Sequence, residues 1–537
     1  MISLGRRTIA IYLTIIILFT GVLCRIYALS VGDSLASVAH AQSSYLLDVD
    51  NTRGVIYDCN LRPLVGTERR SVAAVQPSPE AFTALAEAAQ ETGETFDLDG
   101  KNTKPYLITP EKTAVYAKGV EMFDAVKRYG TWQIAPHVIG YLNPEKTDGS
   151  AGIEMAFNAY LKQHSGKLQL RYRLDALGRT VLSEAPEIVK DNYQDKGGVA
   201  LTLDSNIQRV AERAMQRVEK GAAVVMDVNT GDIKASVSVP AFDPNNLAAS
   251  LKNPDSPFVN RAFSQYSVGS TFKLVTAAAA LENGFGRYTP YYCNGYVDVE
   301  GNRFNCHWRT GHGQIDLQRA IEVSCNPFFI HLGLETGGKR IVSMARDMGF
   351  GKAAVFSDDI RTQRGTLPRD DELNQPAAVA NLSFGQGRLT ATPIQIAQMI
   401  SVVANGGYAV TPRLVEGFTE DGETISRHTT VYAPSRVVNE RTSRILREAL
   451  VSNVVNGSGK EATPMSGLAG GKTASAQTGT YESDGETEIV HAWFAGYYPA
   501  DTPLYAIVVL VEGGDSGGDT AAPIFKEIAD GIYLSKL

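Results

Sequence analysis

The apolar pattern opens with one long hydrophobic segment at the N-terminus. Residues 9–24 are almost wholly apolar and follow Arg6 and Arg7. With the apolar residues after Arg25, the run is long enough to span a bilayer, provided that the Arg25 side chain reaches the interface. Residues 26–52 contain no Lys or Arg, so the positive-inside rule predicts that the N-terminus faces the cytoplasm.

We therefore expect a cytoplasmic tail at residues 1–7 and a transmembrane anchor at residues 8–29. Everything beyond the anchor would lie outside the cytoplasm in a single-pass cell-membrane protein. The alternative is a signal peptide cleaved near Ala28, Leu29 and Ser30.

The rest of the chain mixes helix and strand patterns. Lys196, Gly197 and Gly198 mark a junction, and Asp204 predicts the N-cap of a helix just after it. An alanine-rich helix is predicted over residues 271–281, ended by Gly284. Further helices are predicted over 79–92 and 522–534, and strands over 222–239, 491–499 and 504–511. This order of elements indicates an α+β protein.

Composition narrows the possible functions only slightly. A chain of 537 residues should hold two or three folded units. The formal net charge of -7 is mild and no basic, aromatic-rich patch stands out, which argues against a nucleic-acid partner. Nothing in the residues calls for a cofactor.

Five cysteines are too few to hold a protein of this size together by disulfides. Cys293 and Cys306 flank a predicted hairpin whose turn lies near Gly301 and Asn302. On the oxidising side of a membrane, this pair is a candidate for a cross-strand disulfide. Cys325 is expected to be a small buried side chain.

A zinc site is a more specific interpretation of the same segment. Its four candidate ligands are Cys293, Cys306, His307 and His312. We disfavour it, because the sequence has no C-x-x-C pair and adjacent residues of a strand point to opposite faces. We therefore assign no metal ligands.

The first candidate for chemistry is the pair Ser270 and Lys273, at the start of the alanine-rich helix. Residues three apart on a helix share a face, so the two side chains can touch. A neutral Lys273 amine can take the proton of Ser270 and turn its hydroxyl into a nucleophile. The helix N-terminus would stabilise the oxyanion that develops during attack.

Two further motifs indicate which class of enzyme contains the pair Ser270 and Lys273. The tripeptide SCN occupies residues 324–326, and KTAS occupies residues 472–475. The order S-x-x-K, S-x-N, K-T-small is the signature of the penicilloyl-serine transferases. The chain resembles a class B, monofunctional penicillin-binding protein, which is a peptidoglycan D,D-transpeptidase. Other family-like segments, at 53–58, 221–235, 384–387, 392–395 and 404–407, extend the resemblance over nearly the whole chain.

The resemblance implies an α+β architecture in three parts. A single N-terminal transmembrane helix leads to a mixed α/β pedestal domain at residues 30–195. A penicillin-binding transpeptidase domain follows at 196–537, with a central antiparallel sheet flanked by helices. A pedestal that is only a spacer without partners remains an alternative.

By the same resemblance, Ser270 attacks the carbonyl between the two terminal D-alanines of a peptidoglycan stem peptide. Lys273 is the base, once burial and cationic neighbours such as Lys472 lower its pKa. Ser324 relays a proton between Lys273 and the leaving amine. The resulting acyl-enzyme would also form with β-lactams.

The binding roles also follow from the resemblance. Asn326 hydrogen-bonds the substrate backbone with both ends of its side chain. Thr473 and Ser475 offer hydroxyls to the terminal carboxylate, and Lys472 complements its charge. Backbone N–H groups of Ser270 and Ser475 form the oxyanion hole. A SEDS-type glycosyltransferase in the membrane is the implied partner, because no second catalytic module precedes the pedestal.

Ala474 departs from the family pattern, which has glycine after Lys-Thr. If it points away from the cleft floor, its methyl must fit against the nucleophile helix, which puts antibiotic affinity in doubt more than activity.

Two other functions stay open beside transpeptidation. One is a structural partner that activates a polymerase while its own chemistry is idle. The other is a β-lactam sensor or β-lactamase, although the sequence lacks a well-placed E-x-x-x-N glutamate. The GDSGG at 514–518 spells a chymotrypsin-like motif, which we reject for want of a matching histidine segment.

Overall fold

The computed structural model describes residues 2–31, 43–96, 103–175, 177–481 and 486–535. The α-helices are, in chain order, α1 (Ile2–Val31), α2 (Pro79–Thr92), α3 (Pro136–Ile139), α4 (Gly152–Ala156), α5 (Asn158–Gln163), α6 (Ser205–Met215), α7 (Leu247–Leu251), α8 (Lys273–Glu282), α9 (Leu317–Glu322), α10 (Asn326–Thr336), α11 (Gly338–Asp347), α12 (Pro376–Ser383), α13 (Pro393–Ala404), α14 (Glu440–Asn456) and α15 (Ala522–Leu534). Shorter helical turns are Gly269–Phe272, Glu372–Asn374, Lys460–Ala462 and Gly517–Ala521.

The strands are β1 (Ser44–Thr52), β2 (Val55–Tyr57), β3 (Glu68–Val75), β4 (Tyr106–Ile108), β5 (Val120–Lys127), β6 (Gly166–Arg173), β7 (Glu187–Asp191), β8 (Gly198–Leu201), β9 (Gly221–Asp227), β10 (Ile233–Val239), β11 (Tyr266–Ser267), β12 (Tyr291–Cys293), β13 (Tyr296–Val299), β14 (Asn302–Asn305), β15 (Gly313–Ile315), β16 (Thr390–Ala391), β17 (Tyr408–Ala409), β18 (Val415–Thr419), β19 (Arg427–His428), β20 (Ser435–Arg436), β21 (Gly470–Tyr481), β22 (Glu488–Tyr498) and β23 (Tyr505–Glu512).

Helix α1 contains the predicted hydrophobic segment. Its stretch Gly5–Ala28 has 24 residues and contains an 18-residue window with a mean hydropathy of 2.3, so it is long and apolar enough to cross a membrane. The segment predicted to span the bilayer is therefore helical. Its orientation stays a prediction.

Capping residues set the bounds of several helices. The Ser78 side chain accepts a hydrogen bond from the Ala81 N–H at the start of α2, and Gly93 ends that helix with φ of 72°. The predicted N-cap Asp204 accepts hydrogen bonds from two N–H groups of the first turn of α6. The bounds predicted for α2 and α15 agree with the structure, although α15 has only a proline in its first turn and no side-chain cap.

The chain divides into two compact units. The first consists of Met1–Arg53, Glu68–Arg128 and Ser165–Asp195, and it holds two three-stranded antiparallel sheets, β1-β6-β7 and β4-β3-β5. The second consists of Gly54–Thr67, Tyr129–His164 and Lys196–Leu537. One change of unit falls between Asp195 and Lys196, and residues 54–67 and 129–164 belong to the second unit. The division into a pedestal at 30–195 and a transpeptidase domain at 196–537 stays a prediction.

The second unit is built on a five-stranded sheet of order β10-β9-β23-β22-β21, antiparallel throughout. One face shares a core with α8 and α13, and the other with α6 and α15. Because both faces are covered, β9 and β23 are continuous apolar runs with almost every residue buried. A four-stranded sheet, β19-β18-β8-β2, also belongs to this unit. The antiparallel sheet flanked by helices confirms the predicted fold class.

Strand β21 lies at one edge of the five-stranded sheet, so one side of it is not taken by a neighbouring strand of that sheet. Helix α8 is buried along nearly its whole length and packs against α10 and α11. The three predicted motifs lie at the start of α8, between α9 and α10, and on β21.

Candidate active site

The predicted nucleophile lies in a tight turn. Ser270 belongs to the 3₁₀ turn Gly269–Phe272, which runs directly into α8 at Lys273. The α-helix predicted from residue 271 therefore begins two residues later. The Thr271 hydroxyl donates to the Val268 carbonyl at 2.8 Å, which favours the tighter winding. With three residues per turn, Ser270 and Lys273 lie on the same side of the turn. Direct contact between their side chains stays a prediction.

Glycines allow this turn to pack closely against the sheet. Gly269 has φ of 55°, and a Cβ there would lie 3.1 Å from the Cα of Ala476 on β21. Gly385 has φ of 87°, and its Cβ would lie 1.8 Å from the Gly269 carbonyl oxygen. The Trp493 indole N–H donates to the Ser267 carbonyl at 3.0 Å. The turn is thereby held between the edge strand and the segment after α12.

The S-x-N loop connects α9 to α10 and brings its polar side chains to Lys273. Ser324 has φ of 49°, a left-handed conformation that serine rarely adopts, and Asn326 is the first residue of α10. Lys273 Nζ donates to the Ser324 carbonyl at 2.8 Å, the Ser324 hydroxyl at 2.9 Å and Asn326 Oδ1 at 2.7 Å. These three acceptors match the three protons of an ammonium group.

The same geometry accommodates a neutral lysine. A neutral amine has two protons and a lone pair, so the Ser324 hydroxyl can reverse and donate to the Lys273 nitrogen. Asn326 Oδ1 accepts from Lys273 and keeps one lone pair, while the Asn326 Nδ2 group is free to donate to a substrate carbonyl. That both ends of the amide bind the substrate stays a prediction.

Burial sets the protonation of Lys273. The side chain is fully buried, and desolvation lowers its pKa from 10.5 to about 7, against the opposing influence of Cys325 and Cys306. The predicted cationic contribution of Lys472 is not what lowers it. The repulsion acts on Lys472 instead, whose pKa is lowered well below its usual range, first by burial and then by Lys273.

The K-T-A-S segment forms part of β21. Lys472 pairs with Ala495 and Ala474 with Trp493, and these partners belong to the core on the α8 face. Because strand side chains alternate, Thr473 and Ser475 occupy the opposite face. Lys472 is fully buried, and its Nζ donates to the Thr473 carbonyl at 2.8 Å.

Ser458 contacts Thr473, and the sequence did not indicate this contact. Its hydroxyl lies 2.7 Å from the Thr473 hydroxyl and 3.1 Å from Asn453 Oδ1. The Gly517 N–H donates to the Ser475 hydroxyl at 3.4 Å. Ser458 thus orients one predicted carboxylate ligand, and no motif in the sequence indicates that it does so.

Ala474 is 3% exposed and belongs to the core that also contains Val268 and Phe272 of the nucleophile segment. Its methyl is therefore accommodated in the core and does not line the open cleft.

The rejected GDSGG motif has a structural role in its own right. The Ser516 hydroxyl accepts from the Asp519 N–H at 3.0 Å and donates to Asp519 Oδ2 at 2.6 Å. Ser516 caps the helical turn Gly517–Ala521.

Three of the five cysteines form a second cluster beside the S-x-N loop. All five are free thiols, so the candidate disulfide between Cys293 and Cys306 is not formed. The predicted hairpin is present as β13 and β14. Cys293 and Cys306 lie close to His312, as a zinc site would require, and Cys325 joins them in place of His307.

The five-stranded antiparallel sheet is covered on both faces and carries K-T-small on its edge strand. The S-x-x-K turn packs against that strand, and S-x-N contacts Lys273. Together these features define the penicilloyl-serine transferase class. The family described as penicillin binding protein transpeptidase domain matches residues 221–530. The chain belongs to this family, and the resemblance drawn from the motifs is confirmed.

Two relatives and one solved structure illustrate the match. Stage V sporulation protein D of Bacillus subtilis is 30% identical over 539 residues, covering 93% of this chain and 80% of the relative. Peptidoglycan D,D-transpeptidase PbpA of Mycolicibacterium smegmatis is 33% identical over 358 residues, covering 61% and 71%. Penicillin-binding protein A from M. tuberculosis, solved as its penicillin G acyl-enzyme complex, matches with a TM-score of 0.65 at 24% identity, covering 90% and 99%. At that identity the last match shows the fold alone.

Proposed function

We propose that this chain is a membrane-anchored serine D,D-transpeptidase that cross-links peptidoglycan stem peptides through an acyl-enzyme on Ser270. One observation carries the proposal. A fully buried Lys273, one tight turn after Ser270, holds its Nζ 2.9 Å from the Ser324 hydroxyl and has a pKa lowered to about 7. A lysine that is partly neutral at physiological pH can act as a general base.

In the acylation step, neutral Lys273 takes the proton of the Ser270 hydroxyl. The serine oxygen then attacks the carbonyl carbon between the two terminal D-alanines. Backbone N–H groups of Ser270 and Ser475 hold the oxyanion of the tetrahedral intermediate. When the intermediate collapses, the carbon–nitrogen bond breaks, and the departing amine receives a proton from Lys273 through the Ser324 hydroxyl.

In the second step, the amine of a neighbouring stem peptide attacks the acyl carbon. Ser324 and Lys273 accept the proton that this amine loses, and the Ser270 oxygen leaves and recovers a proton. A β-lactam follows only the first step, because its amine stays tethered to the acyl group after the ring opens. Its adduct therefore blocks the acceptor and persists.

Substrate binding is assigned to β21 and α10. Thr473 and Ser475 share one face of the edge strand and donate hydroxyl hydrogen bonds to the terminal carboxylate. Lys472 lies on the other face and acts through its charge, because a bound carboxylate raises the lowered pKa of this buried amine. Asn326 Nδ2 donates to a carbonyl of the peptide backbone.

Intact-protein mass spectrometry after penicillin treatment tests this function. The mass should rise by one penicillin, and the gain should map to the peptide that contains Ser270. Ser270→Ala should abolish the gain, while Ser516→Ala, the matched control in the GDSGG segment, should keep it. Labelling that survives Ser270→Ala would refute the assignment, and rapid release of hydrolysed antibiotic would indicate a β-lactamase.

The proposed transpeptidase is anchored in the membrane and works with a glycosyltransferase. Helix α1 would anchor the chain in the cell membrane, with the catalytic unit outside the cytoplasm. Residues 30–195 would serve as a pedestal, and a SEDS-type glycosyltransferase would supply the glycan strands. Replacing α1 by an unrelated single-span helix should preserve penicillin labelling and weaken co-purification of that partner. Unchanged co-purification would count against contacts through the anchor.

A further inference from the structure

A groove of about 420 Å³ lies beside helix α14 in the second unit. Residues spaced three or four positions apart place one face of the helix along it. They are Arg444, Arg447, Val451 and Val455. Tyr497, near the end of β22, and Ala500 beyond it also line the groove. A cavity of this size accepts a small ligand, and this one combines two guanidinium groups with apolar surface.

The two arginines have no acidic partner. Among the residues that the structure describes, neither guanidinium group forms an ion pair or donates a hydrogen bond, and the Arg447 Nε is buried without a partner. Glu448, which also lines the groove, pairs with Arg287 at 2.6 Å. A buried donor on a charged group costs free energy when it is left unpaired. The arginine pair therefore favours an anionic ligand.

The lining narrows the choice of anion. A guanidinium group binds a carboxylate through two parallel hydrogen bonds. Val451, Val455 and Ala500 offer apolar surface beside the arginines, and Val455 is 45% exposed. A bare phosphate would leave this surface uncovered. A carboxylate flanked by small apolar groups, as at the end of a short peptide, matches both the charge and the apolar lining.

The groove adjoins the strand to which the carboxylate ligands of the catalytic cleft are assigned. The Tyr497 hydroxyl donates to the Arg447 carbonyl at 3.1 Å. Its ring packs over Gly470, the first residue of β21, where a Cβ would collide with the ring. A strand advances about 3.3 Å per residue, so Ser475 lies about 17 Å further along β21. An extended peptide of several residues covers that distance.

Two carboxylate sites on one chain suit a substrate that repeats its peptides. Under the proposed function, on which this assignment rests, the substrate carries many stem peptides, and each ends in a carboxylate beside the methyl groups of D-alanine. We propose that the α14 groove is a second subsite for the carboxylate end of a stem peptide, and that it holds one peptide of a strand while another occupies the catalytic cleft. The second binding event is then intramolecular, which raises the affinity for the whole strand.

Calorimetric titration of the full chain in detergent tests the groove directly. Penicillin first fills the catalytic cleft, and acetyl-D-Ala-D-Ala is then added. One peptide should bind per acylated chain, and the C-terminal amide of the same peptide should bind roughly 10- to 100-fold more weakly, because it lacks the charge-assisted hydrogen bonds. Equal binding of the amide, or inorganic phosphate binding as tightly as the peptide, would overturn the carboxylate subsite. Tighter binding of acetyl-L-Ala-L-Ala would overturn the assignment to cell-wall peptide in favour of a protein C-terminus.

Substitutions on α14 locate the binding. Arg444→Ala and Arg447→Ala should each weaken binding of acetyl-D-Ala-D-Ala roughly 10- to 100-fold. The matched control is Arg441→Ala, an exposed arginine of the same helix that does not line the groove, and it should bind like the unaltered chain. Arg444 is also exposed, so its removal keeps the test decisive if Arg447→Ala fails to fold. Binding that survives both substitutions would overturn the site.

The tethering of a strand is measured separately, with uncross-linked peptidoglycan strands. Each strand should bind the unaltered chain at least about tenfold more tightly than acetyl-D-Ala-D-Ala does, and Arg444→Ala should remove this advantage. Equal affinity of the strands for both chains would overturn the tethering. Penicillin acylation without any peptide binding that depends on Arg444 would overturn the groove and leave the proposed function intact. Such peptide binding in a chain that penicillin does not acylate would refute the transpeptidase and leave the groove as a site for a peptide carboxylate.

Discussion

The pH dependence of acylation tests the role of Lys273 most directly. Desolvation lowers its pKa to about 7, and the amine must be neutral to accept the Ser270 proton. Below that pKa the lysine is charged and inactive as a base. The acylation rate should therefore rise with pH and level off above about 7.

The size of the change follows from the titration. With a pKa of about 7, roughly one-tenth of Lys273 is neutral at pH 6 and about nine-tenths at pH 8. The rate should thus rise about tenfold between these two pH values and then hardly change up to pH 9. A lysine with an ordinary pKa near 10.4 would be about 0.4% neutral at pH 8, and the rate would rise tenfold per pH unit throughout.

Stopped-flow acylation of the full chain by a fluorescent penicillin measures this profile. The second-order rate constant should show a single inflection near pH 7, because the penicillin carboxylate stays ionised over the whole range. The inflection should persist in His491→Gln, which removes the imidazole that contacts Tyr266 in the strand before the nucleophile turn. A flat profile, or a slope of one up to pH 9, would refute burial as the means by which the lysine becomes a base.

Three further substitutions probe the contacts around the motifs. Ser458→Ala removes the 2.7 Å contact with the Thr473 hydroxyl. Losing a hydrogen bond of roughly 1 kcal/mol should slow penicillin acylation about fivefold. An unchanged rate would mean that Thr473 does not need Ser458 to orient its hydroxyl. Because the Ala474 methyl lies in the core, Ala474→Gly should lower the free energy of unfolding by about 1 kcal/mol in denaturant titration. The acylation rate should change less than about threefold. A larger change in that rate would place the methyl in the cleft. Gly385→Ala puts a Cβ 1.8 Å from the Gly269 carbonyl, so both the melting temperature and the acylation rate should fall, and normal values would show that the turn is not held there.

Local signals in the sequence predicted many elements of the fold. Helix α2 has a serine cap, a proline at its first position and a glycine at its end, and its bounds agree with the prediction. The paired strands β22 and β23 were predicted from their apolar runs. The nucleophile turn was predicted less well, since the left-handed Gly269 and its packing against β21 are tertiary features.

Contacts between distant segments could not be predicted from spacing. Ser458 reaches Thr473 only because the end of α14 folds over β21, and neither residue indicates the other in the sequence. Cys325 is separated from Cys306 by β15 and α9, so the cysteine cluster could be recognised only in part. The resemblance to a family supplied the roles of the motifs, whereas the residues that support them are visible only in three dimensions.

The lowered pKa of Lys273 follows partly from the local sequence and partly from the tertiary fold. The alanine-rich run after Ser270 indicates a helix without a polar face, and such a helix must be buried on all sides. In the structure, α8 lies in the core that includes one face of the sheet and packs against α10, α11 and α14, and its residue Lys273 is buried there. Burying the Lys273 amine lowers its pKa from 10.5 to about 7. This burial reduces the free energy of unfolding by about 5 kcal/mol at neutral pH and below. Because the folded-state pKa is the lower one, this cost disappears only above pH 10.5 and is greatest below about 7. The core packing around α8 must therefore offset the cost, and the same packing that excludes water from the amine makes it a base.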